Sequence, residues 1–530
     1  MPEHVSVGIV AAPHPTAAEA ALEIMKAGGN AIDGAVAAAF TLTVVAPAST
    51  SPAGYGGSLL VWLPSRGEPI AVDFTSRAPA AAHEAMFDVQ EDGHGGFSVA
   101  EAANAFGGRS VDVPGIVAGL TLTQGRYGSL PLRTVMQPAI DAANHGFPVD
   151  AWTVQKITET LVPNAERYPH IYRLFSLDGR PPRPGETLTN PDLARTLETI
   201  AGDGAEAFYS GEIARAIVET VRLADGILTL DDLARYTPVE IAAVSTHYRG
   251  HTIYTPPLPT GGLTILQMLR VLEDFDAPKT GHDGDLIHLL VEVSKSCWRE
   301  RLTRYGDPEG VAVDPQAELS AAKVWALQED TRAGLRSPRP GAVVAPDPLL
   351  TGTAHLCTAD RQGNVVSLTT TLGGSFGSLL TVPGLGLVLG HGISRFDPRP
   401  GRANSIGPWK RPLHNMSPIL AIKNARPALA IGAAGGRTIL STVINSIVRL
   451  LDLNEGPHAA VSTPRFHIET AEPVLIEQGG DSLADGLTRR GHRVQLRPRF
   501  GSLQGILFSA APSVMTGIAD PRRAGTVLWA

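Results

Sequence analysis

Residues 350–372 constrain this 530-residue chain more than any other stretch. Gly352-Thr353 opens a β-like run, Thr353–Thr358. A polar turn follows at Asp360-Arg361-Gln362-Gly363-Asn364, and then a second run, Val365–Leu372. Two such runs around a short turn predict a hairpin. A threonine after a small glycine, at the head of a strand, also suits self-cleavage. Its hydroxyl attacks the Gly352 carbonyl, the amide shifts to an ester, and water frees a new N-terminus. That terminus carries a nucleophile and an amine on one residue. The amine suits a general base because an α-amino group titrates near pH ~8, against ~10.4 for lysine. This is the N-terminal threonine variant of the nucleophile–base pair. Residues 332–348, rich in Arg, Pro and Gly, read as a flexible linker approaching the bond.

Length alone suggests about three domains, although large α/β enzymes also form one unit. A hydrophobic content of 43% with 18% charged residues describes an ordinary globular chain and excludes disorder. The net charge of −8 argues against nucleic acid as a partner. Charge divides unevenly at Thr353. Residues 353–530 hold 18 Lys and Arg against 10 Asp and Glu, and the remainder 26 against 42. Opposite signs favour association of two fragments at short range. Two cysteines, Cys297 and Cys357, are too few for a disulfide framework. The start lacks a basic and apolar leader, and the apolar run Ala35–Pro47 is too short to span a bilayer. The expectation is a cytoplasmic protein with no membrane partner.

Along the chain, Thr16–Ala27 reads as a helix stopped by Gly28-Gly29, and Asn30 caps a second helix to about Val45. A turn at Gly54-Tyr55-Gly56-Gly57 precedes strands at Ser58–Leu63 and 70–75. Residues 110–330 read as mostly helical, with an N-cap signature at Leu228–Leu233. Pro256–Gly262 reads as a rigid loop feeding the helix Leu263–Leu272. His288 and Glu292 lie one helical turn apart. They read as a surface pair, because no third ligand and no zinc-type spacing accompany them. The glycines at 384, 386 and 390 have the wrong spacing for a dinucleotide fingerprint. Ile419–Ile422 and Pro427–Ile431 form a hairpin-like pair. Gly435-Gly436 then opens a helix, Arg437–Leu451, whose N-terminus supplies backbone N–H groups for an anion or oxyanion.

These residues, taken in order, resemble the γ-glutamyltransferase family of N-terminal-nucleophile (Ntn) hydrolases. Ala11–Pro15, Gly28–Asp33, Gly54–Gly57 and Pro256–Gly262 are similar to its opening helices and turns. Gly352-Thr353-Ala354-His355 resembles its processing site, and Thr371-Leu372 the threonine that supports the nucleophile. Lys410–Pro418 resembles a specific family run, Gly435-Gly436 the oxyanion pair, and Asp520-Pro521-Arg522 a C-terminal signature. The resemblance implies an α+β fold: an αββα four-layer sandwich with two stacked antiparallel sheets. It implies a precursor cut into a large fragment, 1–352, and a small catalytic fragment, 353–530. The two form one integrated heterodimeric fold, with pairing of such heterodimers left open. Thr353 is then the nucleophile, Thr371 orients it, and Gly435 and Gly436 hold the oxyanion. No metal or organic cofactor is implied, and the partner is a small-molecule acyl substrate.

The departures bear on that substrate. The family's carboxylate-binding Arg is matched by Thr75, with Arg77 two residues on. Its two adjacent serines are matched by His414 and Asn415. The Asn, Gln/Glu and Asp that hold the substrate ammonium are matched by Gly373, Gly392 and Arg395. Ala354 stands where Thr or Ser is usual. Arg opposite an ammonium is repulsive, and such repulsion rejects a ligand. A fork-shaped guanidinium suits a carboxylate instead. The reaction type is therefore expected to persist on a non-γ-glutamyl acyl group bearing a carboxylate or oxo-acid, with Arg395, Arg77 and His414 as candidate binding groups. Relatives implied by the resemblance include dicarboxylyl-type acylases, an oxamate-type amidohydrolase and carbon–carbon hydrolases of antibiotic pathways. The alternatives are a γ-glutamyl hydrolase or transpeptidase on glutathione-like substrates, and an unprocessed binding protein.

Overall fold

The computed structural model describes residues 3–91, 97–276, 283–338, 352–509 and 514–530. Two seven-stranded antiparallel sheets carry the fold. In the first, the strand order is Thr526–Trp529, Gly8–Ala12, Thr353–Asp360, Val365–Thr371, Gly56–Trp62, Ile70–Asp73 and Val239–Ala242. In the second it is Glu3–His4, Val514–Ala519, Ser502–Phe508, Arg426–Ala434, Ile419–Lys423, His251–Thr255 and Val244–Tyr248. Both sheets interleave strands from the two sides of the Gly352–Thr353 bond. A cut there leaves each piece hydrogen-bonded to the other along whole strands.

Period-two alternation explains the layering. Ile9, Ala11, Leu60, Trp62, Cys357 and Ala359 point between the sheets, against Leu420, Ala430 and Ile506. Their neighbours Val10, Ala12, Leu356, Val366 and Leu368 point the other way, onto the helices Pro15–Lys26 and Ala31–Val45. On the far side, Ile419, Ala421, Leu429 and Ile431 pack against the helices Gly262–Leu272, Asp283–Arg304 and Ile439–Ile447. The result is the four-layer αββα sandwich.

Local chemistry places the helices. His14 caps the first, its ring accepting from the Thr16 N–H, with Pro15 at the first helical position. Asn30 and Asp33 form a capping box on the second. The strand from Thr353 then grips that helix. Asp360 accepts the Ala31 N–H at 2.9 Å, and the Thr358 hydroxyl donates to the Ala31 carbonyl at 2.7 Å.

Several expectations need correction. Residues 110–330 are mostly helical, but strands at Val239–Ala242, Val244–Tyr248 and His251–Thr255 stand among the helices. A helix runs from Ala321 to Arg336, so the expected linker cannot begin at 332; positions 339–348 lie outside the described residues. The expected helix Arg437–Leu451 is a 3₁₀ turn at Gly436–Thr438, an α-helix at Ile439–Ile447 and a π turn at Val448–Asp452. His288 and Glu292 are buried, and His492, distant in sequence, joins them. Their atoms are engaged: His288 Nδ1 meets His492 Nε2 at 2.8 Å, and Lys295 Nζ bridges Glu292 and Glu472 at 2.8 and 2.6 Å. The lysine already stands between these carboxylates, which disfavours a cation at this place.

Candidate active site

The hairpin pairs Thr353 with Thr371 and His355 with Thr369. Odd-numbered side chains of the first strand face the second sheet. His355 lies against Gly432, where a Cβ would lie 2.2 Å from the ring. The Ser367 hydroxyl donates to the Ile431 carbonyl at 3.3 Å, one step from that contact. The strand that carries Gly432, Arg426–Ala434, ends one residue before Gly435. Gly435 and Gly436 have φ of +142° and +59°, which glycine adopts without strain. This turn leads into the 3₁₀ segment, with the Thr438 hydroxyl closing on the Gly435 carbonyl at 2.8 Å.

Thr353 and Thr371 are both buried, with their hydroxyl oxygens 3.0 Å apart. The Thr371 hydroxyl donates to the Gly352 carbonyl and accepts the Gly373 N–H at 2.8 Å. Its single proton is thus committed, and the Thr353 hydroxyl is left as the donor between the two threonines. The Thr353 carbonyl is held by Arg523 Nη1 at 2.7 Å. Arg523 stacks over Trp152 at 4.0 Å. The adjoining Asp520-Pro521-Arg522 is locked by buried ion pairs, Asp520 to Arg465 and Arg522 to Glu477.

The expected substrate-binding residues divide into two groups. Thr75 and His414 do meet, Oγ1 to Nε2 at 2.9 Å, beside the edge of the Tyr55 ring. Burial holds His414 well below the usual histidine range, helped by Arg301, Arg411 and Arg395 nearby. Gly373 accepts Arg395 Nη2 at 2.7 Å through its carbonyl, which places Arg395 one residue from the threonine pair. Asn415 accepts Arg301 Nη2 at 3.0 Å, and Arg301 also holds the His414 and Thr260 carbonyls. Arg77 is the correction. It forks onto Glu309 at 2.7 and 3.2 Å and donates to the Trp409 carbonyl, so its charge is already spent in a structural pair. Arg411, in the same layer, binds Asp73, Asp307 and Glu309 at 3.0–3.1 Å.

Four further groups surround this place without having been singled out for chemistry: Tyr55, Ser76, Asp112 and His391. All are buried, and Tyr55 Oη, Ser76 Oγ, both Asp112 oxygens, His391 Nε2 and His414 Nδ1 lack a hydrogen-bond partner of good geometry among the described residues. Burial pushes the Asp112 carboxyl up to about 7; the Ser76 hydroxyl and the Gly392 N–H, lying against it, pull partly back. The signal in sequence was thin: one Asp between valines, at Val111-Asp112-Val113.

Burial also holds His355 and His391 down to about 3. Both stay neutral in the fold, whereas unfolded histidine gains a proton below pH ~6.5. Their contribution to stability is therefore complete above pH ~6.5 and is lost as pH falls towards 3, by about 1.4 kcal/mol per pH unit for each. The thermal unfolding midpoint is expected to drop steadily between pH 6.5 and 4.5. A constant midpoint over that range contradicts the neutral burial of these rings.

Two antiparallel sheets between helix layers, with a threonine heading a central strand, define the class of Ntn hydrolases. Comparison with known proteins narrows this. The family described as gamma-glutamyltranspeptidase matches residues 17–530. The Acylase ACY 1 proenzyme of Pseudomonas sp. (strain V22) is 35% identical over 98% of this chain and 93% of its own length. The Glutathione hydrolase proenzyme of Escherichia coli (strain K12) is 32% identical over 98% and 91%. The crystal structure of cephalosporin acylase from Bacillus halodurans superposes with a TM-score of 0.89 at 28% identity, covering 100% of this chain and 97% of that one. The chain belongs to the gamma-glutamyltranspeptidase family, and it is an enzyme. Among the described residues no helix is long and apolar enough to cross a membrane.

Proposed function

We propose that the chain is a self-processing acylase in which Thr353 is the nucleophile and the acyl group ends in a carboxylate. The observation that carries this reading is the contact series Thr353 hydroxyl, Thr371 hydroxyl, Gly352 carbonyl. It joins the attacking oxygen, a proton carrier and the carbonyl to be attacked. Thr353 Oγ1 adds to the Gly352 carbon, and its proton passes to Thr371 as Thr371 gives its own to the carbonyl oxygen. As that intermediate collapses, the proton on the former carbonyl oxygen is transferred to the Thr353 nitrogen, the C–N bond breaks and an ester remains; water then cleaves the ester to the Gly352 carboxylate and restores the Thr353 hydroxyl beside its free amine. The interleaved strands keep fragments 1–352 and 353–530 together as a heterodimer.

The same oxygen then attacks a substrate acyl carbonyl. The Thr353 amine takes the hydroxyl proton and returns it to the departing amine, and water or a second amine releases the acyl group. The N–H groups of Gly435 and Gly436 stabilise the tetrahedral oxyanion. Losing one such donor typically raises the barrier by about 3–4 kcal/mol.

The choice of acyl group rests on Arg395. It adjoins Gly373, beside the threonine pair, where a γ-glutamyl ammonium would need an acid. Relatives named as acylases support the reading, whereas those named glutathione hydrolases favour the γ-glutamyl alternative. Hydrolysis of glutaryl-p-nitroanilide and γ-glutamyl-p-nitroanilide, which differ by the ammonium, separates the two. We expect kcat/KM to favour the glutaryl compound by about 100-fold, the equivalent of ~3 kcal/mol. A preference for the γ-glutamyl compound overturns the carboxylate reading.

A further inference from the structure

Gly392 stands where γ-glutamyl enzymes carry a Gln or Glu that reaches the substrate. Here that space is taken. A Cβ on Gly392 would lie 1.5 Å from Asp112 Oδ2 and 2.5 Å from Ser76 Oγ. The carboxyl of Asp112 thus occupies the room of the missing side chain, and only glycine at 392 allows it. Asp112 is 1% exposed, and neither of its oxygens has a hydrogen bond of good geometry among the described residues. A buried carboxyl met only by the poorly aligned Ser76 hydroxyl and Gly392 N–H is costly, and a ligand donor or acceptor there would offset that cost.

We propose that Asp112 is a specificity-determining residue of the acyl pocket, donating a hydrogen bond from its carboxylic acid to the terminal carboxylate of the acyl group, beside Arg395. This rests on the acylase reading above. The groups around the carboxyl fit the assignment. Arg395 bears electrostatically on Asp112, Tyr55, His391 and His414 together. Tyr55 offers a phenolic O–H. His391 donates through Nδ1 to the Ala105 carbonyl at 2.7 Å, which leaves Nε2 as a lone pair against Gly373. His414 is neutral; its Nε2 shares a hydrogen bond with the Thr75 hydroxyl, and its Nδ1 has no partner of good geometry among the described residues. Ser76 and the Gly392 N–H complete the surround. A substrate carboxylate placed here meets Arg395, the Tyr55 O–H and the acid form of Asp112.

Burial that holds Asp112 near 7 keeps it a donor in mildly acidic solution. The carboxyl of a glutaryl group stays ionised throughout, since carboxylic acids titrate near ~4. As pH rises through about 7, Asp112 ionises, repels the substrate carboxylate and competes for Arg395. The effect falls on binding, because Asp112 touches the far end of the acyl group and not the reacting carbon.

The test uses the processed enzyme and its Asp112→Asn variant, in which the amide keeps shape and a donor but does not titrate. Appearance of two fragments reports that the variant folds. KM and kcat for glutaryl-p-nitroanilide are measured from pH 5.5 to 8.5, and glutarate binding is followed by calorimetry over the same range. Wild-type KM is expected to rise about tenfold between pH 6 and 8, as one ionisation near 7 predicts. The variant's KM should stay level over that range. Identical KM profiles overturn the role of Asp112 while leaving the acylase reading intact. If the anilide is not cleaved but glutarate binds with the same Asp112-dependent profile, the acylase reading fails and the pocket assignment stands. Absence of both cleavage and glutarate binding overturns both.

Discussion

Replacing Thr353 by alanine is expected to leave one 55.7 kDa chain with no acylase activity. Two losses coincide in that variant. The alanine has no hydroxyl to attack the Gly352 carbonyl, so the chain is not cut. Without the cut there is no free amine at 353, so neither the nucleophile nor its base exists. Losing a nucleophile typically costs about 10⁶-fold in kcat, which places activity below detection. Thr353→Ser keeps the hydroxyl and should still split into two fragments. Electrophoresis of both variants after long incubation reads the difference directly. A Thr353→Ala chain that splits at the same bond refutes the assignment.

The second large effect concerns stability. Arg411 is nearly buried and binds Asp73, Asp307 and the more exposed Glu309. It also donates its backbone N–H to Asp307 at 2.8 Å. Methionine at 411 keeps the bulk but leaves Asp73 and Asp307 buried without their counter-charge. Removing one partner of such a group costs about 3–5 kcal/mol, far more than a surface ion pair. Arg411 also anchors the segment that carries His414 to Thr75, so the loss should reach the acyl pocket as a raised KM. The comparison is cleanest in the Thr353→Ala background, where the protein is a single covalent chain. Denaturant unfolding of Arg411→Met in that background should show the loss, and a change under about 1 kcal/mol contradicts the role given to this network.

What was legible in the sequence was local. The Gly352-Thr353 bond, the hairpin after it and the two opening helices are written in adjacent residues through spacing, caps and turns. Arg77 shows where such reading ends. An arginine near a matching strand suggests a substrate clamp, but its partner Glu309 lies 232 positions away. The same distance problem hid His492 from His288, 204 positions apart. Asp112 was passed over because one acid between valines has no periodicity to mark it. Its meaning appears only when the fold lays it against Gly392, a glycine whose absent side chain makes the room. The strands Val239–Ala242 and Val244–Tyr248 leave little mark in the sequence because they are edge strands, half-exposed and without the apolar run of a buried strand, whereas His251–Thr255 lies inside its sheet but is short, with buried positions only at every second residue.

Thr353 becomes a new N-terminus that holds the acyl group in the proposed reaction. Intact mass spectrometry of wild-type protein, quenched in acid during turnover of glutaryl-p-nitroanilide, tests this most directly. The prediction is a fragment of residues 353–530 present both free and heavier by one glutaryl group, the added mass mapping to Thr353. A chain that remains whole, or an acyl group carried on any other residue, contradicts it.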